Sequence, residues 1–328
     1  MISMQDIADR LGVSKSTVSL VLSGKAGSRV SEEMKKKVLK EAKELNYHVN
    51  DVARSLRTGA SKLISVIVTD ISNEFFGRLT FHIQEKAKRA GYLVLTINSN
   101  ESLQEFEDIS RALISKKVDG VIAVPTPGGD EAISYILSQE VPVVAVDRMC
   151  SGVNVDYVGV DNYSAAKDAM EGLVADGMRR IAMVGLDLDI PPLNARRKAY
   201  QDVMETHGLS EFTDVRLVPF DSEEDSGIDS VVDDLKGFDA VFFTSRRVFT
   251  QAMSCLSGGG AAGSDSFPCL LCFDDVKPYL TSRYDIRYVE QPVEEMAAKA
   301  FELLMRKIQG DSSTDSYIFP TRCVAGKS

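Results

Sequence analysis

The chain has 328 residues, of which 44% are apolar and 26% charged, so disordered, collagen-like and coiled-coil classes are excluded. At about 150 residues per domain, more than one domain is expected. The net charge of -10 is uneven, because residues 1–60 hold 11 Lys and Arg against 7 Asp and Glu, whereas the remainder holds 27 against 41. A basic head on an acidic body indicates that only the head meets a polyanion, which favours nucleic acid.

The cysteines are odd in number and scattered along the chain: Cys150, Cys255, Cys269, Cys272 and Cys323. This pattern does not fit a disulfide framework and favours a reducing, cytoplasmic location. No apolar run approaches about 18 residues, and the N-terminal residues lack the basic and then apolar start of a signal peptide. We therefore expect neither a membrane-spanning nor an exported protein.

Two short helices joined by a tight turn are predicted at the N-terminus. Ser3 can cap the first helix, whose apolar residues recur at helical spacing, and Gly12 can end it in a left-handed turn. Ser14 can cap the second helix. The side chains that face outward on this second helix are Lys15, Ser16 and Ser19. The spacing is that of a helix-turn-helix, whose second helix can enter a major groove about 12 Å wide. A third helix is predicted from Ser31, and the alternative is an accessory bundle of three amphipathic helices.

Residue identity favours the helix-turn-helix over the accessory bundle. The run IADRLGVSKSTVSLVLSG, from Ile7 to Gly24, closely resembles the start of the lactose-repressor (LacI) family of bacterial regulators, and so does ARSLRTG at 53–59. The resemblance implies a hinge helix over residues 50–57 that orders on operator DNA, with Leu56 as a wedge in the minor groove. Unstacking a base step costs a few kcal/mol and is repaid by bent DNA that contacts more protein. The DNA-binding residues implied are Lys15, Ser16, Thr17, Ser19, Leu20, Ala53 and Leu56.

The recognition helix departs from the family at one position. Family members usually carry Arg after Thr-Val-Ser, whereas this chain has Leu20. An arginine that could bind guanine through two hydrogen bonds is therefore absent. We expect an altered base preference at that position of the operator half-site, with contact to a thymine methyl group as one outcome.

Beyond residue 62, short β-branched runs alternate with segments of helical length. The first series of runs is Leu63–Val68, Leu93–Ile97, Val121–Val124 and Val143–Val146. The second series is Ile181–Val184, Val215–Val218, Ala240–Phe243 and Leu270–Phe273. This alternation predicts a series of βαβ units with parallel sheets in two lobes.

The family resemblance extends through the body in short motifs at 69–76, 160–162, 273–275 and 291–292. It implies an α/β two-lobed body of the periplasmic-binding-protein type, attached to the small all-α head. The implied domains are a DNA-binding head at 1–49, a hinge and linker at 50–60, and an effector-binding and dimerisation domain at 61–328. The implied N-lobe comprises about 61–161 and 292–319, and the implied C-lobe about 162–290 and 320–328.

The candidate effector site lies between the lobes, because open α/β sheets bind ligands beyond the carboxyl ends of their strands. The residues that follow predicted strands there are Asp70, Asn73, Phe75, Asp147, Arg148, Ser245, Arg246 and Asp274. By resemblance, Arg196 matches the effector-binding arginine of the family, and Asp274 and Gln291 match other frequent ligand contacts. For each of these residues the alternative is a purely structural role at a strand end or a helix cap.

A second departure from the family concerns the chemistry of the effector. Relatives usually place Asn-Asp where this chain has Ser245 and Arg246, so an acid that binds hydroxyl groups is replaced by a cation. If Arg246 points into the cleft with Arg148 and Arg196, the three guanidinium groups suit an anionic effector, such as a sugar acid or a sugar phosphate. The alternative is that Arg246 turns outward or pairs with Asp274 or with the acid that follows it.

The expected function is that of a LacI-type transcriptional regulator, a repressor that binds a pseudo-palindromic operator as a homodimer and responds to a small effector, a sugar or sugar derivative. A catalytic nucleophile, a base and a cofactor loop are not apparent, so an enzyme is disfavoured, and neither a cofactor nor a metal is expected. The spacing of Cys269 and Cys272 is that of a redox or zinc motif, but in a strand these side chains point to opposite faces, which predicts core positions. A solute-binding sensor protein is the remaining alternative, and it should lack the helix-turn-helix.

Overall fold

The computed structural model describes residues 2–24, 26–47, 60–220, 228, 234–258, 267–280 and 284–325. The chain forms two compact units, a head of residues 1–61 and a body of residues 62–328. The predicted hinge helix at 50–57, including Ala53 and Leu56, lies outside the described residues.

The head contains three α-helices, with the caps that the sequence predicts. They are α1 (Met4–Leu11), α2 (Lys15–Leu22) and α3 (Glu32–Glu44). The Ser3 hydroxyl accepts from the Asp6 amide at 3.3 Å, and the Asp6 carboxylate accepts from the Ser3 amide at 2.7 Å, which satisfies two donors at the start of α1. Gly12 ends α1 with φ 63°, a left-handed conformation that costs glycine little. Ser14 caps α2, and Ser31 caps α3.

One apolar cluster holds the head together. Its fully buried members are Ile7, Ala8, Val18 and Val38. Burying each of the larger aliphatic side chains contributes about 1.5–3 kcal/mol to the stability of the head. The prediction of a small three-helix core in the head is confirmed.

The first sheet of the body is parallel throughout. Its strands are β1 (Leu63–Val68), β2 (Leu93–Asn98), β3 (Gly120–Ala123), β4 (Val143–Val146), β5 (Asp156–Val160) and β11 (Ser316–Phe319). They lie in the order β11-β5-β4-β3-β1-β2. The helices packed with this sheet are α4 (Glu74–Arg89), α5 (Leu103–Ser115), α6 (Asp130–Ser138) and α10 (Val293–Ile308). This sheet and its helices form the N-lobe.

The second sheet repeats the same strand order. Its strands are β6 (Ile181–Asp187), β7 (Asp214–Pro219), β8 (Ala240–Phe243), β9 (Cys269–Phe273), β10 (Ile286–Glu290) and β12 (Arg322–Val324). They lie in the order β12-β10-β9-β8-β6-β7. The helices α7 (Asn162–Ala175), α8 (Pro191–Thr206) and α9 (Arg246–Gly258) pack with it and complete the C-lobe. The chain passes between the sheets after β5, after β10 and after β11.

The structure corrects the sequence prediction in two respects. The strands β5, β10 and β11 are not in either predicted series. Asp156 and Gly159 interrupt the apolar run of β5, and Arg287 and Glu290 lie within β10. The second sheet is also not purely parallel, since β12 runs antiparallel to β10. A final strand that arrives directly from the other lobe can pair in this direction without a crossover helix.

The two cysteines of the CxxC spacing are core residues, as predicted. Cys269 belongs to the apolar cluster on one face of the second sheet, and Cys272 belongs to the cluster on the other face. Burial raises the pKa of the Cys269 thiol to about 12, which keeps it protonated and unreactive near neutral pH.

Candidate functional site

Two aspartates occupy equivalent positions in the two lobes and face the cleft between them. Asp147 follows β4 and Asp274 follows β9, and their backbone amides donate to Val158 and Val289 of the adjacent strands at 2.9 and 3.0 Å. Both residues have positive φ, 67° and 94°, which is uncommon for a side chain other than glycine. Backbone strain of this kind concentrates at functional positions.

Arg196 on α8 lies buried in this cleft, and its hydrogen bonds within the described part of the chain are all to neutral groups. Its Nε and Nη2 donate to Asn162 Oδ1 at 2.9 and 2.7 Å, and its Nη1 donates to the carbonyl oxygen of Thr244 at 2.7 Å. The guanidinium group also stacks on Phe273, 3.5 Å from the ring centroid. Burial lowers the pKa of Arg196, and the carboxylates of Asp274 and Asp147 oppose that effect. The three bonds use three of five N–H donors, so acceptor groups of a ligand can complete the site.

The carboxyl groups around Arg196 are also perturbed by burial. Burial raises the pKa of Asp147, and the charges of Arg148 and Arg196 partly offset the rise. Burial likewise raises the pKa of Asp274, against the charge of Arg196 and the hydrogen bond that Gln291 Nε2 donates to Asp274 Oδ1 at 2.6 Å. A ligand that donates hydrogen bonds to these two carboxyl groups would replace the lost hydration and lower their pKa values.

Three residues that line the cleft each carry a buried polar atom without a hydrogen-bond partner among the described residues. These atoms are Ser245 Oγ, Gln291 Oε1 and Arg148 Nε. An unpaired buried polar group costs about 1–3 kcal/mol. A ligand that forms hydrogen bonds to such groups recovers that free energy on binding.

The charge of Arg148 is neutralised by a residue that sequence reasoning missed. Its Nη1 and Nη2 donate to Glu101 Oε2 and Oε1 at 2.6 and 2.5 Å, and the two side chains are 5% and 8% exposed. Glu101 lies just beyond β2, at the same edge of the sheet as the predicted residues. The strand-end rule that nominated Asp70 and Asp147 would have found it, had the loop after β2 been included.

At the mouth of the cleft, charged pairs join the lobes. Arg246 binds Glu74 of α4 and also donates to the carbonyl oxygen of Asp275. Arg247 Nη1 lies 3.6 Å from Asp70 Oδ2, and Arg78 Nη1 lies 3.1 Å from Asp275 Oδ2. Arg246 therefore faces the cleft but is engaged with an acid of the opposite lobe, a partner that neither predicted alternative included. Arg247, Glu74 and Arg78 were missed by sequence reasoning.

The remaining predicted residues also line the cleft, some with a structural role as well. Asn73 caps α4, since its Oδ1 accepts from the Phe75 amide at 3.0 Å. Asp70 Oδ1 accepts from the Ser72 amide at 2.9 Å. Phe75 is buried and contributes an apolar wall. All ten predicted effector residues are thus brought to one cleft.

The two larger spaces in the cleft differ in size and share lining residues. The inner compartment, of about 70 Å³, is lined by Arg196, Asp147, Asp274 and the apolar side chains of Phe75, Leu188 and Leu193. The outer cavity, of about 740 Å³, is lined by Ser72, Asn73, Glu74, Asn100, Arg246, Thr250 and Gln251. Both spaces are lined by Thr69, Asp70, Asn73, Phe220 and Arg247.

In the head, the predicted recognition residues lie along α2. Lys15 and Ser16 are exposed, whereas Thr17, Ser19 and Leu20 are half-buried. Leu20 packs against the apolar cluster of the head, so its side chain is partly committed to the core. On α3, Lys35, Lys37 and Lys40 each pair with a glutamate of the same helix, as on a solvated helix face.

A helix-turn-helix head followed by a two-lobed body with a polar cleft defines a ligand-responsive DNA-binding regulator. Residues 64–312 match the family model of the periplasmic binding protein domain, and residues 3–50 match that of the bacterial regulatory proteins of the lacI family. The chain belongs to the LacI family, and it is a transcriptional regulator and not an enzyme.

Relatives match along nearly the full length of the chain. The ribose operon repressor of Halalkalibacterium halodurans is 29% identical over 337 residues, covering 99% of this chain and 96% of the relative. A LacI-family regulator from Silicibacter pomeroyi, known from its crystal structure, has a TM-score of 0.81 at 18% identity and covers 99% and 98% of the two chains. The Cra regulator from Pseudomonas putida, in complex with fructose 1-phosphate, has a TM-score of 0.71 at 18% identity over 81% and 99%. These structures show the fold that the sequence predicts.

Within the described residues, no helix is both long and apolar enough to cross a membrane. The same residues contain no group of three or more His, Cys, Asp or Glu side chains that could hold a metal ion.

Proposed function

We propose that this regulator is a cytoplasmic homodimer that represses transcription from a pseudo-palindromic operator and is controlled by a small effector, a sugar or sugar derivative, bound between the lobes. The observation that carries the proposal is the convergence of unpartnered buried polar atoms, Ser245 Oγ and Gln291 Oε1, on the same cleft as the incompletely bonded Arg196. The hydroxyl groups of a sugar both donate and accept hydrogen bonds, so they can donate to Gln291 Oε1 and accept from Arg196.

The DNA-binding part of the proposal rests on α2. Its exposed residues Lys15 and Ser16 start the helix, which is the end that contacts base edges in helix-turn-helix complexes. We propose contacts from Lys15, Ser16, Thr17, Ser19 and Leu20 in the major groove. The minor-groove contacts of Ala53 and Leu56 are implied by the family resemblance alone.

The homodimer is supported by symmetry and by exposed apolar side chains on and beside the edge strand β2 and helix α4 of the N-lobe. One head reads only a half-site of the operator. A dimer with two-fold symmetry therefore matches a pseudo-palindromic operator. Ile71, Phe81 and Leu93 are 42%, 58% and 68% exposed. Helix α4, which carries Phe81, lies beside the edge strand β2, since Gln84 Nε2 donates to Thr96 Oγ1 at 3.3 Å. We propose that this face joins the two subunits, with effector and operator affinities linked through it.

An anionic effector is the second candidate. The solved Cra regulator holds fructose 1-phosphate, and the cleft of this chain contains Arg148, Arg196, Arg246 and Arg247. However, Glu101 neutralises Arg148, and Glu74 pairs with Arg246. This pairing favours a neutral sugar over a sugar acid or a sugar phosphate.

Operator selection followed by fluorescence anisotropy tests the DNA-binding half of the proposal. The full-length protein should select a palindrome, and its affinity should fall steeply with salt as counterions are released. Sedimentation should give a dimer at the same concentrations, and Phe81→Asp should shift it towards the monomer, whereas Tyr135→Asp, at a 40% exposed position on α6, serves as a control. Selection of an asymmetric site by a monomer would contradict the proposal.

A thermal-shift screen of the full-length protein against neutral sugars, sugar acids and sugar phosphates tests the effector half. A ligand that binds the native state raises the melting temperature by mass action. The active compound should change operator affinity, and Arg196→Gln should abolish both effects. A shift with nucleobases but with no sugar would refute the assignment of a sugar effector.

A further inference from the structure

We propose that the effector is a neutral glycoside of two sugar units, with one unit in the inner compartment and the second in the outer cavity beyond the Asp70–Arg247 pair. This inference rests on the proposed function and adds the size and charge of the ligand. The outer cavity then acts as a second binding site, which selects disaccharides over their component monosaccharides.

The sizes of the two spaces support this division. A buried water needs about 10–15 Å³ of cavity space. The inner compartment of about 70 Å³ therefore has room for about five to seven waters. That is room for one sugar ring. The outer cavity of about 740 Å³ lies within the roughly 300–1,000 Å³ of ordinary ligand sites. A single ring would leave this larger space to solvent.

The boundary between the two spaces suits a hydroxyl group. Arg247 Nη1 and Asp70 Oδ2 are 3.6 Å apart, which is too far for a direct hydrogen bond, and both side chains are about a quarter exposed. A sugar hydroxyl can accept from Arg247 and donate to Asp70 at the same time. A phosphate or carboxylate only accepts when ionised, and here it would meet the negative charge of Asp70 directly.

The wall of the outer cavity adds groups suited to the second unit. The amide oxygen of Gln251, on α9, is buried and lacks a hydrogen-bond partner among the described residues. Asn73 and Thr250 add further polar surface, and the ring of Phe220 adds an apolar one. Two acids and two arginines line this cavity, and Glu74 pairs with Arg246, so the wall carries no excess positive charge for an anion. Balanced charge and the amide oxygen of Gln251, unpartnered among the described residues, favour a polyhydroxyl compound.

Isothermal titration calorimetry of the full-length protein tests the proposal. The probes are glucose, galactose, fructose and ribose, the disaccharides cellobiose, maltose, lactose, sucrose, trehalose and melibiose, and the anions gluconate, glucose 6-phosphate and fructose 1-phosphate. We expect one disaccharide to bind at least tenfold more tightly than either of its component monosaccharides and than every anion. Gln251→Ala should weaken that disaccharide about 5- to 10-fold, the loss of one or two hydrogen bonds, and leave the monosaccharide unchanged.

Two further variants separate local binding from general damage. Ser254→Ala alters an exposed residue of the same helix and should change neither affinity, and all melting temperatures should stay within a few degrees of the parent protein. Asp70→Asn removes the negative charge at the boundary and should improve the binding of glucose 6-phosphate relative to glucose.

Three results of the titrations would each contradict a different part of the proposal. A monosaccharide that binds at least as tightly as every disaccharide and shifts operator affinity would overturn the two-unit effector while the proposed function stands. Tightest binding of an anion would overturn the neutral effector. If no sugar of the panel binds, both the inference and the sugar assignment in the proposed function fail, while operator binding by the head is unaffected.

Discussion

Removal of one partner from the buried Glu101–Arg148 pair should destabilise the body strongly. Both side chains are less than a tenth exposed, and two hydrogen bonds of 2.6 and 2.5 Å join them. Glu101→Gln leaves a buried guanidinium without its counter-charge, which costs about 3–5 kcal/mol. Asp147 Oδ2, 3.8 Å from Arg148 Nε, compensates in part, so the lower end of that range is expected.

The measurement is thermal unfolding of the full-length protein, followed for the transition of the body. At about 2 °C per kcal/mol for a domain of this size, a loss of about 3 kcal/mol should lower the melting temperature by about 6 °C. The matched control is Glu107→Gln on α5, because Glu107 pairs with Arg111 at 3.0 Å but the two side chains are 30% and 58% exposed. An exposed pair of this kind contributes about 0.3–0.5 kcal/mol.

Replacement of both buried partners should cost less than replacement of Glu101 alone. In a Glu101→Leu, Arg148→Met double variant no charge is left unpaired, so much of the lost stability should return. If Glu101→Gln proves no more destabilising than Glu107→Gln, the buried pair does not neutralise Arg148 as described. The charge of Arg148 would then remain available to an anionic effector.

Three further predictions follow from the geometry. Glu74→Gln and Arg246→Gln should show a coupling of about 0.2–1 kcal/mol in a double-mutant cycle of unfolding, since Glu74 is partly exposed, and a zero coupling in low salt would contradict the inter-lobe pair. Leu20→Ala should lower the melting temperature of the head and alter base preference at one operator position, because Leu20 packs on the head core, and an unchanged operator selection would count against a role in base recognition. Because the pKa of Asp147 is raised in the folded state, its contribution to stability is full below its ordinary pKa and declines as pH rises through the folded value. Asp147→Asn should therefore gain stability relative to the parent protein as pH rises from about 4 to 7, measured by urea unfolding, and a pH-independent difference would refute the raised pKa.

Local sequence signals predicted most of the fold. The caps Ser3 and Ser14 and the turn at Gly12 lie where expected, because capping depends on residues within one helical turn. The runs at 63–68 and 143–146 form β1 and β4 with the predicted bounds, because a strand buried on both faces is apolar throughout. The strands β5 and β10 were missed because charged residues and a glycine break that pattern.

The positions of the candidate effector residues were also predictable, whereas their partners were not. The rule that parallel strands end at one edge of a sheet placed Asp70, Asp147 and Asp274 in one cleft from sequence alone. It could not show that Arg246 pairs with Glu74, which lies 172 positions earlier, because that contact depends on how the two lobes close on each other. Sequence reasoning likewise named no partner for Arg148, and the partners it considered for Arg246 did not include Glu74.

The sequence by itself determined the class of protein, the helix-turn-helix and the edge of each sheet at which the cleft lies. These features follow from hydrophobic period, capping chemistry and chain order, all of which act over short distances along the chain. The tertiary structure alone decided the charge balance of the cleft and its division into two spaces. Charge pairing depends on distances between residues that are far apart in sequence, such as Glu101 and Arg148, and these distances exist only once the strands and helices have packed.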